Sequence, residues 1–292
     1  MPELPEVETI KRGLEDSLKG QIIKEVNILW PKSMLVDRLD IEKLVLGAEV
    51  TDIRRRGKVL IIDLDSKYSL LIHLKMTGQV VLDMNKSQAS SRFGGGHPTK
   101  SLMAKLPDNS TRVVVGLSGG HKLFFNDQRK FGWIKLIKTK DINKQQLLRS
   151  MGPEPLSKDY NLEAFSSSLK NTSRVIKAVI LDQSVVAGVG NIYADESLHM
   201  AKIHPLRKAN SLSLGEIEGL YNAIPVIMEM SLNYGGTSFT NYVNANGLKG
   251  DYLDNARVFR REGELCDECG SVITKIRVAS RGTHLCPDCQ AL

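Results

Sequence analysis

The chain contains no long apolar run, and this absence excludes a membrane-spanning helix. None of its stretches reaches the 18 consecutive apolar residues that such a helix needs. The N-terminus lacks the basic and apolar regions of a secretory signal, so we expect a cytoplasmic protein. Internal repeats and long low-complexity segments are also missing, and the apolar content of 41% is enough for folded cores.

Cysteine is scarce, and all four copies lie within the last 27 residues. In a protein of the cytoplasm such clustering indicates metal binding rather than disulfides. Four thiolates complete the tetrahedral shell of zinc and leave no open position, so we predict one structural Zn²⁺ that folds a small module. The alternative is four free buried thiols. The predicted ligands form two C-x₂-C pairs separated by sixteen residues: Cys266, Cys269, Cys286 and Cys289.

Positive charge exceeds negative charge, with a formal net charge of +7 and a pI near 9.1. Basic side chains displace counterions from nucleic acid, so this balance favours a polyanionic partner, although many basic proteins bind no nucleic acid. Lys275, Arg277 and Arg281 lie between the cysteine pairs and give the expected hairpin a cationic tip. The alternative for this tip is a solvated turn.

The first half of the chain has the pattern of one helix followed by short strands. A helix that ends at Gly20 is predicted from apolar residues at helical spacing, from Val7 to Leu18. A hairpin turn is expected at residues 118–121. The predicted strands are Ile22–Trp30, Glu49–Arg55, Val59–Asp65, Leu70–Met76, Arg112–Leu117, Lys122–Phe125 and Trp133–Ile137. This half therefore reads as an antiparallel β-sandwich with an N-terminal helix, and residues 85–110 read as a surface loop.

The second half changes to helical periodicity, so the fold class is α+β. The predicted helices are Asn161–Leu169, Arg174–Leu181, Ile192–Met200 and Ser213–Leu232. We predict four parts: a sandwich domain at 1–138, a linker at 139–157, a helical domain at 158–257 and a zinc-finger β-hairpin at 258–292.

The extreme N-terminus can carry covalent chemistry. Removal of Met1 leaves Pro2 with a free secondary amine, and an α-amino group has a pKa of about 7.7 to 8. The neutral amine can attack a sugar C1′ to form an iminium, which acidifies C2′–H and permits loss of the 3′-phosphate. Glu3 is the nearest acid–base partner. Alternatively, Met-Pro is a common start and Glu3 is merely exposed.

A glycine turn precedes one predicted helix. Gly188 and Gly190 permit close backbone approach, and Asn191 can cap the helix that follows. A helix N-terminus presented in this way can bind phosphate. An ordinary packing turn between helices is the alternative.

Seven specific motifs are distributed along the chain between residue 1 and residue 290. They are Met1–Thr9, Arg56–Lys58, His73–Gly78, Asn126–Gly132, Met151–Leu156, Gly188–Leu198 and Arg281–Pro287. Together they resemble the bacterial formamidopyrimidine-DNA glycosylases, including that family's helix–two-turn–helix and zinc finger. The resemblance implies a monomeric, bifunctional base-excision-repair enzyme of the nucleoid. Its partner would be double-stranded DNA that contains oxidised bases or abasic sites.

The resemblance also implies catalytic roles. Pro2 would be the Schiff-base nucleophile and Glu3 the acid–base residue. Lys58 would assist base loss and β-elimination, and Arg281 would clasp phosphates and assist δ-elimination.

Further positions are implied to contact DNA. Arg174, Lys177 and Asn191 would hold the backbone. Three residues would fill the space left by the extruded nucleotide: Met76, Arg129 and Phe131. An apolar or aromatic wedge restores contact with the unstacked neighbours, and a guanidinium can donate to the orphaned cytosine.

Some positions depart from the family pattern. Lys75 stands where glycine is usual, Gln128 where proline is usual, and Lys130 replaces an arginine. Arg112 lies where relatives often carry a DNA-contacting histidine pair, so it is expected to bind that phosphate. The loop expected to cover the flipped base has a threonine in place of an arginine, and its candidate residues are Ser238, Thr240 and Tyr242.

The resulting hypothesis is a glycosylase and abasic-site lyase that removes 8-oxoguanine and formamidopyrimidines and nicks DNA by β,δ-elimination. Leu4 favours it over the related endonuclease VIII group, which prefers oxidised pyrimidines and typically has glycine there. Two rival hypotheses come from different classes of protein. One is a catalytically silent zinc-finger protein that binds damaged DNA, and the second is an RNA-binding zinc-ribbon protein. The second lacks the aromatic stacking pattern of RNA modules.

Overall fold

The computed structural model describes residues 2–84, 92–96, 105–236 and 252–292. The chain forms two compact units. The first unit runs from the N-terminus to Arg149 and also includes Tyr234 and the two glycines that follow it. The second unit contains Ser150–Asn233 and residues 252–292, so the helices and the cysteine-bearing hairpin belong to one unit. No described helix is long and apolar enough to cross a membrane.

In the residues that the structure describes, the first unit contains three α-helices and ten strands. The helices are α1 (Leu4–Leu18), α2 (Arg38–Asp40) and α3 (Gln146–Arg149), and a π-helical turn, Ile41–Val45, continues α2. The strands are β1 (Ile23–Ile28), β2 (Met34–Leu35), β3 (Val50–Arg56), β4 (Val59–Leu64), β5 (Tyr68–His73), β6 (Gly78–Asp83), β7 (Arg92–Gly96), β8 (Thr111–Leu117), β9 (Lys122–Asp127) and β10 (Trp133–Lys138).

These strands build two five-stranded sheets that face each other across an apolar core. The first sheet has the order β1-β8-β9-β6-β7, and the second has the order β2-β10-β5-β4-β3. Both sheets and α1 contribute to one buried cluster, because α1 buries the stripe from Val7 to Leu18 that its spacing predicts. The sandwich with an N-terminal helix is therefore confirmed. Its pairs are antiparallel except for β2 and β10, which run parallel.

The described part of the second unit combines four α-helices with one β-hairpin. The elements are α4 (Leu162–Lys170), α5 (Ile176–Ile180), α6 (Asn191–Met200), α7 (Leu214–Asn233), β11 (Thr274–Val278) and β12 (Arg281–Leu285). Helix α6 buries every residue from Ile192 to His199, including two carboxylates. All four predicted helices are confirmed to within three residues at each end.

Three strands were not predicted from the sequence, and the shortest of them is the two-residue strand β2. The stretch Gly78–Asp83 was not predicted, yet it forms the buried strand β6 between β9 and β7. The interpretation of residues 85–110 as a loop is wrong for Arg92–Gly96, which pairs with β6 as β7. Three consecutive glycines in β7 hid the strand, because glycine has a low strand propensity.

Candidate functional site

The first turn of α1 buries the proposed catalytic residues of the N-terminus. Pro2 is buried, and the side chain of Glu3 is only 2% exposed. Glu3 occupies the N-cap position, and its backbone N–H donates to Glu6 Oε2 at 2.8 Å in a capping box. Gly236 also approaches this turn, since a Cβ built on it would lie 3.3 Å from Glu6 Oε1. The start of the chain is therefore ordered by its own helix rather than exposed.

A partly buried ion pair holds the turn that carries Lys58 against α1. Arg55 Nε on β3 lies 2.8 Å from Glu8 Oε2, and Arg55 Nη1 donates to the carbonyl of Gly57 at 3.0 Å. Burial alone would raise the pKa of Glu8, but hydrogen bonds and charge from Arg55 and Arg12 together outweigh it and lower the pKa. Gly57 has a φ of 55°, and Lys58 follows with 7% exposure. The ion pair of Arg55 with Glu8 thus connects the turn that carries Lys58 to α1, whose N-cap is Glu3.

Two loops of the sandwich lie side by side because of the sheet topology. Residues 74–77 join β5 to β6, and residues 128–132 join β9 to β10. Each loop crosses from one sheet to the other. Both crossings lie at the same end of the sandwich, because the strands that flank the loops are paired. The flanking pairs are His73 with Trp133 in the second sheet and Gly78 with Asp127 in the first.

The three expected wedge residues come together on these loops. Arg129 Nη1 lies 3.1 Å from Met76 Sδ, and its guanidinium carbon lies 4.8 Å from the centre of the Phe131 ring. Met76 is 38% exposed and Phe131 is 54% exposed, so neither belongs to the core. Two large apolar side chains around an arginine are unusual on an exposed surface that contacts only solvent.

Two of the positions that depart from the family pattern have an unusual backbone conformation. Lys75 and Lys130 both adopt left-handed conformations, with φ of 52° and 59°. Glycine suits such a conformation better than a residue with a Cβ, which explains why glycine would be usual at position 75. Lys130 also places its ammonium 3.9 Å from the centre of the Trp30 ring, a cation–π contact.

Arg112 is directed into the protein. Its Nε donates to the carbonyl of Asp127 at 2.7 Å, its Nη1 donates to the carbonyl of Thr111 at 3.3 Å, and only 9% of the residue is exposed. The structure therefore gives Arg112 a role within the sandwich. The direct phosphate contact expected from the sequence stays a prediction that this geometry does not favour.

The four cysteines of the second unit converge on one point. Their sulfur atoms all lie within 4.8 Å of one another, with 3.9 Å between Cys266 and Cys289 and 3.4 Å between Cys269 and Cys286. A tetrahedral zinc ion with Zn–S bonds of about 2.3 Å needs sulfurs about 3.8 Å apart. The cluster fits one structural zinc ion, as predicted, and no open coordination position is left for chemistry.

The tip of the β11–β12 hairpin presents Arg281. Ala279 and Ser280 form the turn with φ of 48° and 62°, both in the left-handed region, as a tight two-residue hairpin turn requires. Arg281 follows directly and is exposed. Asn191 holds the next residue, because its Nδ2 donates to the carbonyl of Gly282 at 2.9 Å. Asn191 is the first helical residue of α6 rather than its cap, which is Gly190.

A fully buried ion pair supports the same hairpin. Lys177 Nζ lies 2.6 Å from Asp195 Oδ1, and neither side chain has any exposed surface. Lys177 also donates to the hydroxyl of Thr283 at 2.6 Å, and Asp195 Oδ2 accepts the backbone N–H of His284 at 2.9 Å. Lys177 therefore fixes β12 from inside the unit, and a direct contact of its ammonium with DNA stays a prediction.

The remaining expected residues have different surroundings. Arg174 is half-exposed and pairs with Asp182 at 2.9 Å, so its guanidinium remains at the surface. The loop residues Ser238, Thr240 and Tyr242 lie outside the described residues.

Sequence reasoning missed several carboxylates. Asp195 and its neighbour Glu196 occupy a buried helix, and Glu196 accepts the backbone N–H groups of Arg257, Val258 and Phe259. Asp127 is completely buried at the end of β9. The available signal was an acidic pair within an otherwise apolar helix and an acid at the end of an apolar strand.

Comparisons with known proteins cover almost the whole chain. Family models match the formamidopyrimidine-DNA glycosylase N-terminal domain at residues 1–134, the corresponding H2TH domain at 151–243, and the zinc finger found in FPG and IleRS at 263–292. The formamidopyrimidine-DNA glycosylase of Herpetosiphon aurantiacus is 41% identical over 295 residues and covers 100% of both chains. The chain belongs to the formamidopyrimidine-DNA glycosylase family. It is thus a DNA-repair enzyme of the glycosylase class, and abasic-site lyase activity is known for this family.

Further family members extend the comparison. The glycosylase of Lactiplantibacillus plantarum is 38% identical and covers 98% of both chains. A Lactococcus lactis enzyme, solved as a mutant in complex with DNA that contains Fapy-dG, is 33% identical, has a TM-score of 0.87 and covers 100% of both chains. A complex of the Lactococcus lactis enzyme with DNA that contains an abasic site also gives a TM-score of 0.87 and covers 99% of this chain. The α+β fold of the family is therefore confirmed for this chain.

Proposed function

We propose that this chain excises oxidised purines from double-stranded DNA and then cleaves the strand by β,δ-elimination, with the Pro2 amine as nucleophile. The observation that carries the proposal is the buried, helix-ordered N-terminus, where Pro2 precedes the acid Glu3 and Lys58 lies on a turn fixed to the same helix. A buried site excludes water and strengthens charge interactions. The enzyme acts wherever damaged DNA occurs, which in a bacterium is the nucleoid.

The chemistry assigns each group one task. The lone pair of the Pro2 nitrogen attacks C1′ of the damaged nucleotide, and the C1′–N bond breaks as the base leaves with a proton. Glu3 gives a proton to O4′ as the C1′–O4′ bond breaks and takes up the proton that the Pro2 nitrogen loses, so that an iminium forms between this nitrogen and C1′. Loss of the C2′ proton then expels the 3′-phosphate, and a second elimination expels the 5′-phosphate. Lys58 is the nearby cation that donates or positions protons in these steps.

The second unit supplies grip on the DNA backbone. The exposed Arg281, held by Asn191 through Gly282, offers a guanidinium for bidentate phosphate binding. Arg174 adds a surface cation on the same unit. The zinc ion stabilises the hairpin that presents Arg281 and takes no part in the bond changes.

The loops of residues 74–77 and 128–132, at one end of the sandwich, supply the wedge. Met76 and Phe131 fill the gap left by the extruded nucleotide, and Arg129 donates to the unpaired base opposite. Cytosine offers two acceptors to such a guanidinium, so we expect a preference for lesions opposite cytosine. Solved complexes of the Lactococcus lactis relative contain Fapy-dG DNA, which supports an oxidised-purine substrate for this chain.

A competition assay tests the lesion class. Duplexes with 8-oxoguanine or dihydrouracil, each opposite cytosine, are offered together, and the initial rates of excision are compared. The proposal expects preference for 8-oxoguanine. Preference for dihydrouracil would instead assign the chain to the endonuclease VIII type of specificity, and binding without excision of either would indicate a silent damage-binding protein.

The Pro2→Gly variant tests the nucleophile. We expect elimination to fall severely while binding to a duplex with a tetrahydrofuran abasic analogue stays within about twofold, because Pro2 contributes reactivity rather than grip. Unchanged strand scission would contradict the assignment. The Leu4→Ile variant is the matched control, since it alters the same turn of α1 but leaves the amine in place.

A further inference from the structure

The loop of residues 74–77 and the loop of residues 128–132 are joined by one buried carboxylate. Asp127 has no exposed surface. Its Oδ1 accepts the Thr77 hydroxyl and the backbone N–H of Arg129, the latter at 3.1 Å, while its Oδ2 accepts the backbone N–H of Gly132 at 2.7 Å. Asp127 therefore fixes the beginning and the end of its own loop and reaches across to the neighbouring one.

Thr77 completes the link from the 74–77 loop. Its hydroxyl donates to Asp127 and accepts the backbone N–H of Arg129 at 3.0 Å. Thr77 directly follows Met76 along the chain, and Arg129 lies two residues before Phe131. The single hydroxyl thus connects the backbone next to one wedge residue with the backbone of another.

Arg112 binds the main chain at Asp127. Its Nε binds the main-chain carbonyl of Asp127 at 2.7 Å, and its own carbonyl accepts the backbone N–H groups of Leu29 and Trp30. Arg112 therefore fixes the main chain of Asp127, from which the carboxylate extends to the two loops. The ring of Trp30 lies under the ammonium of Lys130, so the same chain of contacts returns to the 128–132 loop.

Each loop also ends at, or directly before, a glycine that leaves no room for a Cβ. A Cβ on Gly78 would lie 2.3 Å from the carbonyl oxygen of Leu74, and one on Gly132 would lie 2.7 Å from the Phe125 ring. The hydrogen bonds of Thr77 to Asp127 and to the backbone of Arg129 join the two loops.

We propose that Thr77 and Asp127 are positioning residues that set the spacing between Met76 and the Arg129–Phe131 pair, and thereby set the selectivity for the base opposite the lesion. Arg112 belongs to the same device and is a positioning residue rather than a phosphate ligand. The inference rests on the proposed function, because it takes the opposite base as the partner of Arg129.

The test compares two substitutions of one hydroxyl. Thr77→Val keeps the branched shape but loses both hydrogen bonds, and Thr77→Ser keeps them. Ser69→Ala is the matched control, since it removes another buried hydroxyl of the sandwich, bonded to Asp63 and Thr139 at the opposite end of β5. Affinity is measured for tetrahydrofuran duplexes with cytosine or adenine opposite the lesion. Borohydride crosslinking to single-stranded abasic DNA normalises for active enzyme.

We expect Thr77→Val to reduce the cytosine-to-adenine affinity ratio by at least about threefold, the scale of one lost hydrogen bond. Thr77→Ser and Ser69→Ala should stay within about twofold of the wild-type ratio. An unchanged ratio in Thr77→Val would overturn the inference. So would an equal fall in either Thr77→Ser or Ser69→Ala, because the effect would then be general loss of packing.

A second readout separates this inference from the proposed function. Fluorescence of 2-aminopurine next to the lesion rises when the wedge unstacks the duplex, whatever base is opposite. If the wild type shows no preference for cytosine, the role proposed for Arg129 fails together with the claim about selectivity, and fluorescence then decides whether Thr77 positions the wedge. A smaller rise in Thr77→Val than in Thr77→Ser supports it, and equal rises overturn it.

Discussion

The two units hold their functional residues by different means. In the first unit, α1 and two sheets share one apolar core. The turn that carries Lys58 and the two wedge loops lie at the ends of buried strands. In the second unit, the exposed Arg281 depends on four cysteines and on the buried pair of Lys177 and Asp195. An apolar core tolerates a single loss better than a metal or a buried charge does, because its stability is spread over many contacts.

The stability of each unit can be measured separately, because the two units carry different spectroscopic and chemical probes. Both tryptophans, Trp30 and Trp133, belong to the first unit. Their fluorescence reports the first unit, whereas zinc content and hydrogen exchange of α6 and β12 report the second.

The largest effect is expected from removing a zinc ligand. Cys269→Ser should release the ion and disorder the hairpin, since structural zinc in small modules contributes about 10–16 kcal/mol of apparent binding energy. Affinity for abasic-analogue DNA should fall with it, while the tryptophan melting curve should stay unchanged. Zinc content is measured by mass spectrometry. Glu268→Gln is the control that should keep the metal, and full zinc occupancy in Cys269→Ser would count against the four-cysteine site.

A smaller effect is expected from breaking the buried ion pair. Asp195→Asn leaves Lys177 charged and unpaired inside the second unit, which should cost about 3–5 kcal/mol of its stability. Hydrogen exchange of α6 and β12 measures this loss. Arg174→Gln, which removes an exposed pair, should cost no more than about 1 kcal/mol. Equal losses in the two variants would show that burial does not distinguish the pairs.

The smallest effect concerns pH and the first unit. Burial, with the charges of Lys75 and Lys58, lowers the pKa of His73 to about 3, so the folded state keeps the ring neutral. The unfolded chain takes up that proton near pH 6.5, so stability is full above this pH and is lost as the pH falls towards 3. Between pH 7.5 and pH 5 the loss should be about 2 kcal/mol.

The control for this pH effect is His73→Asn, which keeps an acceptor for the backbone N–H of Lys75 but cannot take up a proton. Urea unfolding followed by tryptophan fluorescence should show a pH dependence smaller by about 2 kcal/mol in this variant. The same pH dependence in both proteins would mean that His73 is not the titrating group.

Local patterns predicted most of the fold but not the contacts that order the site. The helical spacing of Val7 to Leu18 and the two C-x₂-C pairs each encode a complete physical requirement within a few residues. The strand Arg92–Gly96 escaped because its glycines carry no pattern, and only its partner β6 makes it a strand.

The site was predictable only in part for the same reason. The family motif pointed to Met76, Arg129 and Phe131, and the structure brings them together. Their alignment depends on Asp127, which lies fifty residues from Thr77 in sequence and carries no local signature of this task. The family resemblance implied a DNA contact for Lys177, but its partner Asp195 becomes visible only when α5 and α6 pack together.

The most direct test of the account is the identity of the atom that bonds to DNA. The purified enzyme is mixed with abasic DNA, reduced with borohydride and digested, and the N-terminal peptide is sequenced by mass spectrometry. The account predicts a chain that begins at Pro2 and a deoxyribose-derived mass on its nitrogen. An adduct on any other residue, or full nicking by protein that retains Met1 or carries an acyl group there, would contradict it.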